Sequence, residues 1–171
     1  MTDNAAWIES LVDRHEAPLG RYALSLCGSA SLAQDAVQET FLRLCKADRA
    51  KIEGHEAQWL FTVCRSRVLD LRRKEKPMQT LSSTDTEHLP AEGPTPSDTA
   101  MHSDAESLVP RLLGQLPERQ AEAIRLKFQQ RLSYREIAHV MSVSESNVGF
   151  LIHTGLKALR TRMNLLQGAR T

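Results

Sequence analysis

Apolar residues in the first third of the chain recur at three- and four-residue steps. Trp7, Ile8, Leu11, Val12, Leu19, Tyr22, Ala23 and Leu26 share one side of a helix predicted over Ala5 to Leu26. Pro18 interrupts this run and predicts a kink. Gly28 and Ser29 predict its stop. A second helix is expected over about Ser31 to Ala47, with Ala36, Val37, Phe41, Leu44 and Cys45 on its inner face. Gly54 breaks the chain. A third helical stretch, Glu56 to about Lys76, would carry Trp59, Leu60, Val63, Cys64, Val68 and Leu71 inward, and Pro77 is expected to end it.

The periodicity then disappears. From Pro77 to about Ser103 the chain turns to Ser, Thr, Pro, Gly and acids, as in "SSTDTEHLPAEGPTPSDT". Such a composition cannot bury enough apolar surface to offset ordering, so the segment reads as a disordered or extended tether. Helical spacing resumes after it with Leu108, Leu112, Leu113 and Leu116. Pro117 is expected at the first position of the next helix, with Glu118 in its first turn and Ala121, Ile124 and Phe128 inward. "SYRE" (Ser133–Glu136) spells a capping box that opens a short helix carrying Ile137, Ala138 and Met141. Ser142 and Val143 turn the chain, and Ser144 caps a long last helix. Its inner stripe is Val148, Ile152, Gly155 (a close-packing point), Leu159 and Met163. Ser142 stands where a tight turn favours Gly, so a strained backbone is expected there.

The predicted fold class is therefore all-α. Two small helical domains, 1–76 and 104–171, are joined by a flexible acidic linker, 77–103, and the second contains a helix-turn-helix. A length of 171 residues suits two small domains, and an aromatic share of 5% favours small helical units over a β-sandwich. No apolar run approaches the ~18 residues of a membrane span. The N-terminal "MTDNAAWIES" has no basic segment followed by an apolar one. A cytoplasmic location without membrane insertion is the expectation. Cys27, Cys45 and Cys64 form no CxxC pair and have no His at ligand spacing, so they read as three small buried apolar residues.

Charge sharpens this division. The net charge of +1 conceals 12 Lys and Arg against 11 acids in residues 1–76, and 10 against four in residues 109–171. Between them, residues 77–108 hold no Lys or Arg and six acids: Asp85, Glu87, Glu92, Asp98, Asp104 and Glu106. An acidic tether thus joins a mixed domain to a basic one, which points the basic end towards nucleic acid. Fully extended at ~3.3 Å per residue, that tether could reach about 105 Å, enough for the domains to dock on distant surfaces of a large partner.

Three motifs carry candidate chemistry. The helix-turn-helix would lay its last helix in the major groove, led by N-terminal residues; its bland rival is an ordinary helical hairpin. "RSRVLDLRRKEK" (Arg65–Lys76) has six cations and two acids, a face that attracts phosphates and releases counterions. Lys and Arg also favour helix C-termini, so a solvated helix end competes. Just upstream, "QWLF" (Gln58–Phe61) offers an aromatic for an unstacked base, although Trp59 falls on the inward stripe. In "DAVQETF" (Asp35–Phe41), Asp35, Gln38 and Glu39 lie within about one turn of the outer face. They suit a protein-docking patch or simply a solvated surface.

These stretches occur together and in order, and nearly the whole chain apart from the linker resembles the small two-domain extracytoplasmic-function (ECF) sigma factors of bacterial RNA polymerase. "DAVQETFLRL", "WLFTVCRSRVLDLRR" and "LPERQAEAIRLKFQQRLSYREIAHVMSVSESNV" carry the resemblance. It implies that Asp35, Gln38 and Glu39 dock on the clamp helices of core RNA polymerase. It implies that Trp59, Arg65, Ser66, Arg67, Arg72, Arg73 and Lys74 melt and hold the minus-ten element. Arg131, Arg135, Glu145, Ser146, Asn147, Phe150, Thr154 and Lys157 would meet the minus-thirty-five duplex, and the linker would thread the RNA exit path. Partners would be core polymerase, promoter DNA and, as family members often have, an anti-sigma factor. The polymerase supplies the chemistry, so no catalytic residue, metal or cofactor is expected.

The chain departs from the family at two places. Ser66 stands where Asn is frequent in the flipped-base loop. Gly149, Phe150, Leu151 and Thr154 stand where the family commonly carries Lys, Ser, Arg and Arg. On the remaining reading face Asn147 can read adenine, Glu145 can accept from cytosine and Phe150 can touch a thymine methyl, while a protein contact is the alternative for Phe150 and Leu151. Phosphate anchoring would fall to Arg131, Arg135, Lys157 and Arg160.

Two other function classes compete. A stand-alone helix-turn-helix regulator would bind duplex without polymerase, usually as a dimer, and the sequence holds no evident dimerising coiled coil. An enzyme acting on nucleic acid would need a catalytic or metal cluster. His15, His55, His88, His102, His139 and His153 are scattered, and none pairs with carboxylates at metal-site spacing.

Overall fold

The computed structural model describes residues 2–79 and 104–169, so most of the expected linker lies outside the described residues. Every helix or turn among them is helical in type: α1 (Thr2–Cys27), α2 (Ala30–Lys46), a 3₁₀ turn (Arg49–Lys51), α3 (Glu56–Gln79), α4 (Asp104–Gly114), α5 (Glu118–Phe128), α6 (Tyr134–Met141) and α7 (Glu145–Gly168). The chain divides into two compact units, Met1–Gly93 and Pro94–Thr171.

In the first unit α1, α2 and α3 all pack against one another. Leu11, Leu19, Ala36, Leu44, Leu60 and Phe61 are almost fully buried between them, and Tyr22 meets Phe61 edge-on with ring centroids 5.1 Å apart. The α1–α2 connection follows from its residues. Gly28 takes φ 68°, which L side chains avoid, and the Ser29 hydroxyl accepts from the Leu32 amide at 3.4 Å to cap α2. Thr40 is buried within this core because its hydroxyl donates to the Ala36 carbonyl at 2.7 Å. Beside it the Cys64 thiol is pushed up to about 12 by burial, with Thr40 opposing, so the thiolate does not form near neutrality.

Arg49 fastens the start of α1 to the 3₁₀ turn. It contacts Asp3 at 2.6 Å and Glu53 at 2.9 Å, and its guanidinium lies 5.2 Å from the centre of the Trp7 ring.

Several inward positions differ from the sequence pattern. Leu60, Phe61, Cys64 and Val68 form the buried stripe of α3, while Trp59 and Val63, one position off it, are half-exposed. Cys45 is exposed, and Cys27 is intermediate, so only Cys64 is a buried cysteine. α1 runs through Pro18 without a break, and α3 continues past Pro77 to Gln79 rather than ending at it. At that end of α3, Arg73 to Lys76 face solvent, where water can take the carbonyl that Pro77 leaves without its amide.

In the second unit α5, α6 and α7 pack mutually and α4 closes against α5 and α7. Leu113, Leu116, Ala121 and Ile124 form a buried cluster on which Leu156, Ala158 and Leu159 rest. Gly155 is required for this approach, since a Cβ there would lie 2.6 Å from Ile124 Cδ1. Pro117 is the residue before α5, at φ −50° and ψ 138°, rather than its first helical residue. Phe128 is 57% exposed, because α5 ends there; Leu132, beyond the turn, is the buried residue. Met163 is also exposed, on the part of α7 that outruns the core.

Candidate nucleic-acid interface

The helix-turn-helix is assembled by two caps and one left-handed turn. Ser133 Oγ accepts from the Glu136 amide at 3.2 Å, and Glu136 Oε2 accepts from the Ser133 amide at 2.7 Å, which completes the capping box of α6. Ser142 then adopts φ 55° and ψ 48°, letting its amide and that of Val143 close the end of α6. Ser144 Oγ accepts from the Asn147 amide at 3.1 Å and starts α7. A second left-handed residue, Arg131 at φ 57°, shapes the α5–α6 connection. A long cation thus occupies a backbone conformation where Gly or Asn costs less.

This geometry sorts the residues of α7. Val148, Leu151, Ile152 and Gly155 are buried. Leu151 therefore belongs to the unit's own core and faces neither DNA nor a partner. Glu145, Ser146 and Lys157 are exposed, Asn147 and Thr154 half-buried on one flank, and Phe150 is 65% exposed. Ser146, Phe150, His153 and Lys157 step by four, three and four residues, so they form the outermost stripe. His153 was missed by the sequence reading, although its spacing of three from Phe150 was a usable signal. Gly149 faces Tyr134, whose Cε2 would be 3.6 Å from a Cβ there, and Lys127 Nζ lies 5.2 Å from the Tyr134 ring centre. Arg131 and Arg135 are exposed, and among the described residues no acid pairs with them.

The two candidate faces of the first unit lie on α2 and α3. Asp35 and Gln38 are exposed, and Glu39 is half-exposed with its Oε1 3.1 Å from Arg43 Nε. Val37 and Leu44 are buried on the other side of α2 and Phe41 is intermediate, so the three polar residues project from an anchored helix. On α3, Ser66, Arg73 and Lys74 are exposed, while Trp59, Arg65, Arg67 and Arg72 are intermediate. Arg73 pairs with Asp70. Arg67 has its Nε buried without a hydrogen-bond partner. Half-burial suits Trp59 to both earlier readings, since its ring rests on the unit yet leaves area open to a base.

The sequence reading also missed Glu122, a carboxylate on α5 that is 2% exposed. Arg125, one turn on, is held below its ordinary value by burial, with Glu122 opposing that shift. Among the described residues no group of three or more His, Cys, Asp or Glu is placed to hold a metal, and no helix is long and apolar enough to cross a membrane.

Comparison with known proteins places both units. Residues 11–77 match the family model "Sigma-70 region 2", and residues 107–159 match "Sigma-70, region 4". The chain is 34% identical over 166 residues to the ECF RNA polymerase sigma factor SigL of Mycobacterium tuberculosis, covering 95% of this chain and 92% of that protein. It is 31% identical over 149 residues to the ECF RNA polymerase sigma factor SigM of Bacillus subtilis, covering 83% and 88%. Among solved structures it is similar in fold to the sigma factor RpoE, crystallised with the anti-sigma factor NepR, from Bartonella quintana. The TM-score is 0.69 at 19% identity, over 96% of this chain and 98% of that one.

Proposed function

The chain belongs to the ECF sigma factors of bacterial RNA polymerase, and from that premise we propose how its units divide the work of initiation. It is a transcription initiation factor that directs core polymerase to promoters. The first domain, 1–76, docks on the polymerase clamp helices through Asp35, Gln38 and Glu39, whose exposed or half-exposed side chains project from a helix anchored by Val37 and Leu44. Its α3 holds the melted minus-ten element, with Trp59 stacking on an unpaired base and Arg65, Ser66, Arg67, Arg72, Arg73 and Lys74 along its backbone.

The second domain, 104–171, reads the minus-thirty-five duplex. Glu145, Ser146, Asn147, Phe150 and Thr154 face the groove, and Arg131, Arg135 and Lys157 meet phosphates. The strained backbone of Arg131 supports its part, because strain of this kind is retained where a side chain must be presented. The acidic linker, 77–103, occupies the polymerase's basic RNA path. The chain works in the cytoplasm and brings no catalytic residue, since the polymerase makes the phosphodiester bonds. On family membership alone, an anti-sigma factor is its third partner.

The observation that carries this division is that in both units the candidate side chains lie off the buried stripes, on helices, or for Arg131 on the α5–α6 connection, that the core holds in place. Transcription from a promoter library by purified core polymerase, with and without the chain, tests it. Promoter-specific transcripts that require the chain are expected. Duplex binding without polymerase, and no gain in transcription, would instead identify a stand-alone regulator.

A further inference from the structure

The outer stripe of α7 has a composition that a phosphate-anchored helix would not have. Ser146, Phe150 and His153 contribute no cation, and Lys157 enters only at the fourth position. Phe150 has no place in the core of its unit, at 65% exposure, and His153 is exposed beside it. Both project away from the buried Val148, Leu151, Ile152 and Gly155. An exposed aromatic on a helix needs a reason, and its surroundings decide which. Along α7, Phe150 is bordered by Ser146, Asn147, His153 and Thr154, all polar. The opposite end of α7 is different: Met163, Leu165 and Leu166 are all exposed there. Leu165 and Leu166 line one groove with Leu108 and Leu112, and grouped apolar residues suit protein contact, whereas a single ring among polar side chains suits the base edges of a major groove.

We propose that Phe150 and His153 are the paired specificity determinant of this helix, Phe150 packing on the 5-methyl of a thymine and His153 donating an imidazole N–H to the N7 and O6 edge of a guanine close by. The inference rests on the second unit reading promoter duplex. Its spacing is set by the helix. Three residues advance about 4.5 Å along the helix axis, and each strand of the duplex advances ~3.4 Å of its own axis per nucleotide, so side chains three residues apart reach neighbouring base pairs. The imidazole supplies one donor, and guanine alone presents two adjacent acceptors, N7 and O6, on its major-groove edge. The thymine methyl is the only apolar group that a base pair presents there. Gly149, with only Tyr134 near its open Cβ position, leaves that flank of the helix free of bulk.

The test uses holoenzyme reconstituted from the full chain and core polymerase, with a promoter library randomised upstream, and sequencing of the productive templates. Wild type should return an upstream element with a thymine and, within two base pairs of it, a guanine at a fixed position and strand. Phe150→Ala should lose the thymine preference alone, and His153→Ala the guanine preference alone. Both side chains are exposed, so neither variant should alter folding. Replacing the thymine by deoxyuridine should lower wild-type promoter use about fourfold, the factor that burial of one methyl-sized group sets, and should leave Phe150→Ala unaffected. If both variants return the wild-type element and deoxyuridine costs nothing, the proposal is overturned. It is equally overturned if Phe150→Ala weakens core polymerase binding with promoter preference intact, since Phe150 is then a protein contact. If wild type returns no element at all, the function reading itself fails, a result distinguishable from the other two.

Discussion

From Arg65 to Lys76, α3 carries six cations in twelve residues; from Glu145 to Thr154, the first turns of α7 carry none. Both helices are assigned to DNA, yet they can hold it only by different means. The contacts proposed for the α3 cations are to the backbone charge, which every sequence shares, and such a contribution fades as salt rises. The outer stripe of α7 has little such attraction and must act through contacts that depend on the base. The contacts of α3 are therefore expected to be the more salt-sensitive and those of the α7 outer stripe the less, with polymerase docking on α2 as the step that makes both effective.

Docking is where the largest effect is expected. Glu39→Lys reverses a charge on the proposed patch and places two cations four residues apart with Arg43, whose exposed pair with Glu39 stabilises the fold little. Core polymerase affinity should fall at least about tenfold, a loss of roughly 1.4 kcal/mol, with helix content unchanged by circular dichroism. An unaltered pull-down would remove Glu39 from the docking surface and leave the comparison between DNA faces without its anchor.

Next in size is Arg72→Ala combined with Arg73→Ala. Open-complex yield at moderate salt should drop several-fold while core binding is spared. The dependence of log yield on log salt should flatten by about 1.4, the amount expected for two phosphate contacts on single strands. The same salt titration with Phe150→Ala should keep the wild-type slope. Equal slopes for all three proteins would abolish the distinction between a charge-driven and a contact-driven face.

The sequence made the caps and turns of this fold legible because each depends on a local hydrogen bond. The capping box at Ser133 and Glu136, the cap at Ser144 and the tight approach at Gly155 are all where the spacing put them. Burial was read less well where a residue stood one position from the true stripe. Trp59 and Val63 differ from Leu60 and Cys64 by one residue, or about 100° of helix, and hydrophobicity alone does not separate them. Phe128, Met163 and Cys45 failed for a related reason: an apolar residue near a helix end has a core beneath it only if a neighbouring element extends that far. Glu122 lay hidden because no local pattern marks a buried acid. On α7 the predicted stripe holds at Val148, Ile152 and Gly155, but omits the buried Leu151 and includes the exposed Met163.

A smaller effect separates two strained residues of the second unit. Ser142 and Arg131 both hold positive φ, at 55° and 57°. Ser142→Gly should raise stability by about 1 kcal/mol, because Gly enters that region without a Cβ clash, and promoter use should stay at the wild-type level. Arg131→Gly should give a similar gain in thermal stability but a measurable loss of promoter affinity at low salt. If Arg131→Gly leaves affinity intact, that cation is removed from the phosphate contacts, and the second face becomes still less dependent on charge.

The smallest expected effect belongs to pH, and it falls on the first unit. His15 of α1 is held below the ordinary histidine value by burial and by Arg14, with Glu56 opposing. The folded state therefore prefers neutral imidazole. Stability from this group is complete above the unfolded value of roughly 6.5 and is lost as pH falls from there through the lowered folded value. Both tryptophans of the chain, Trp7 and Trp59, lie in the first unit, so fluorescence melting reports that unit alone, while far-ultraviolet dichroism reports the helices of both. The fluorescence midpoint should fall by a few degrees between pH 7.5 and 5.5, and His15→Gln should flatten that fall. An unchanged slope in the variant would assign the pH dependence to other groups of the unit and leave His15 with a packing role only.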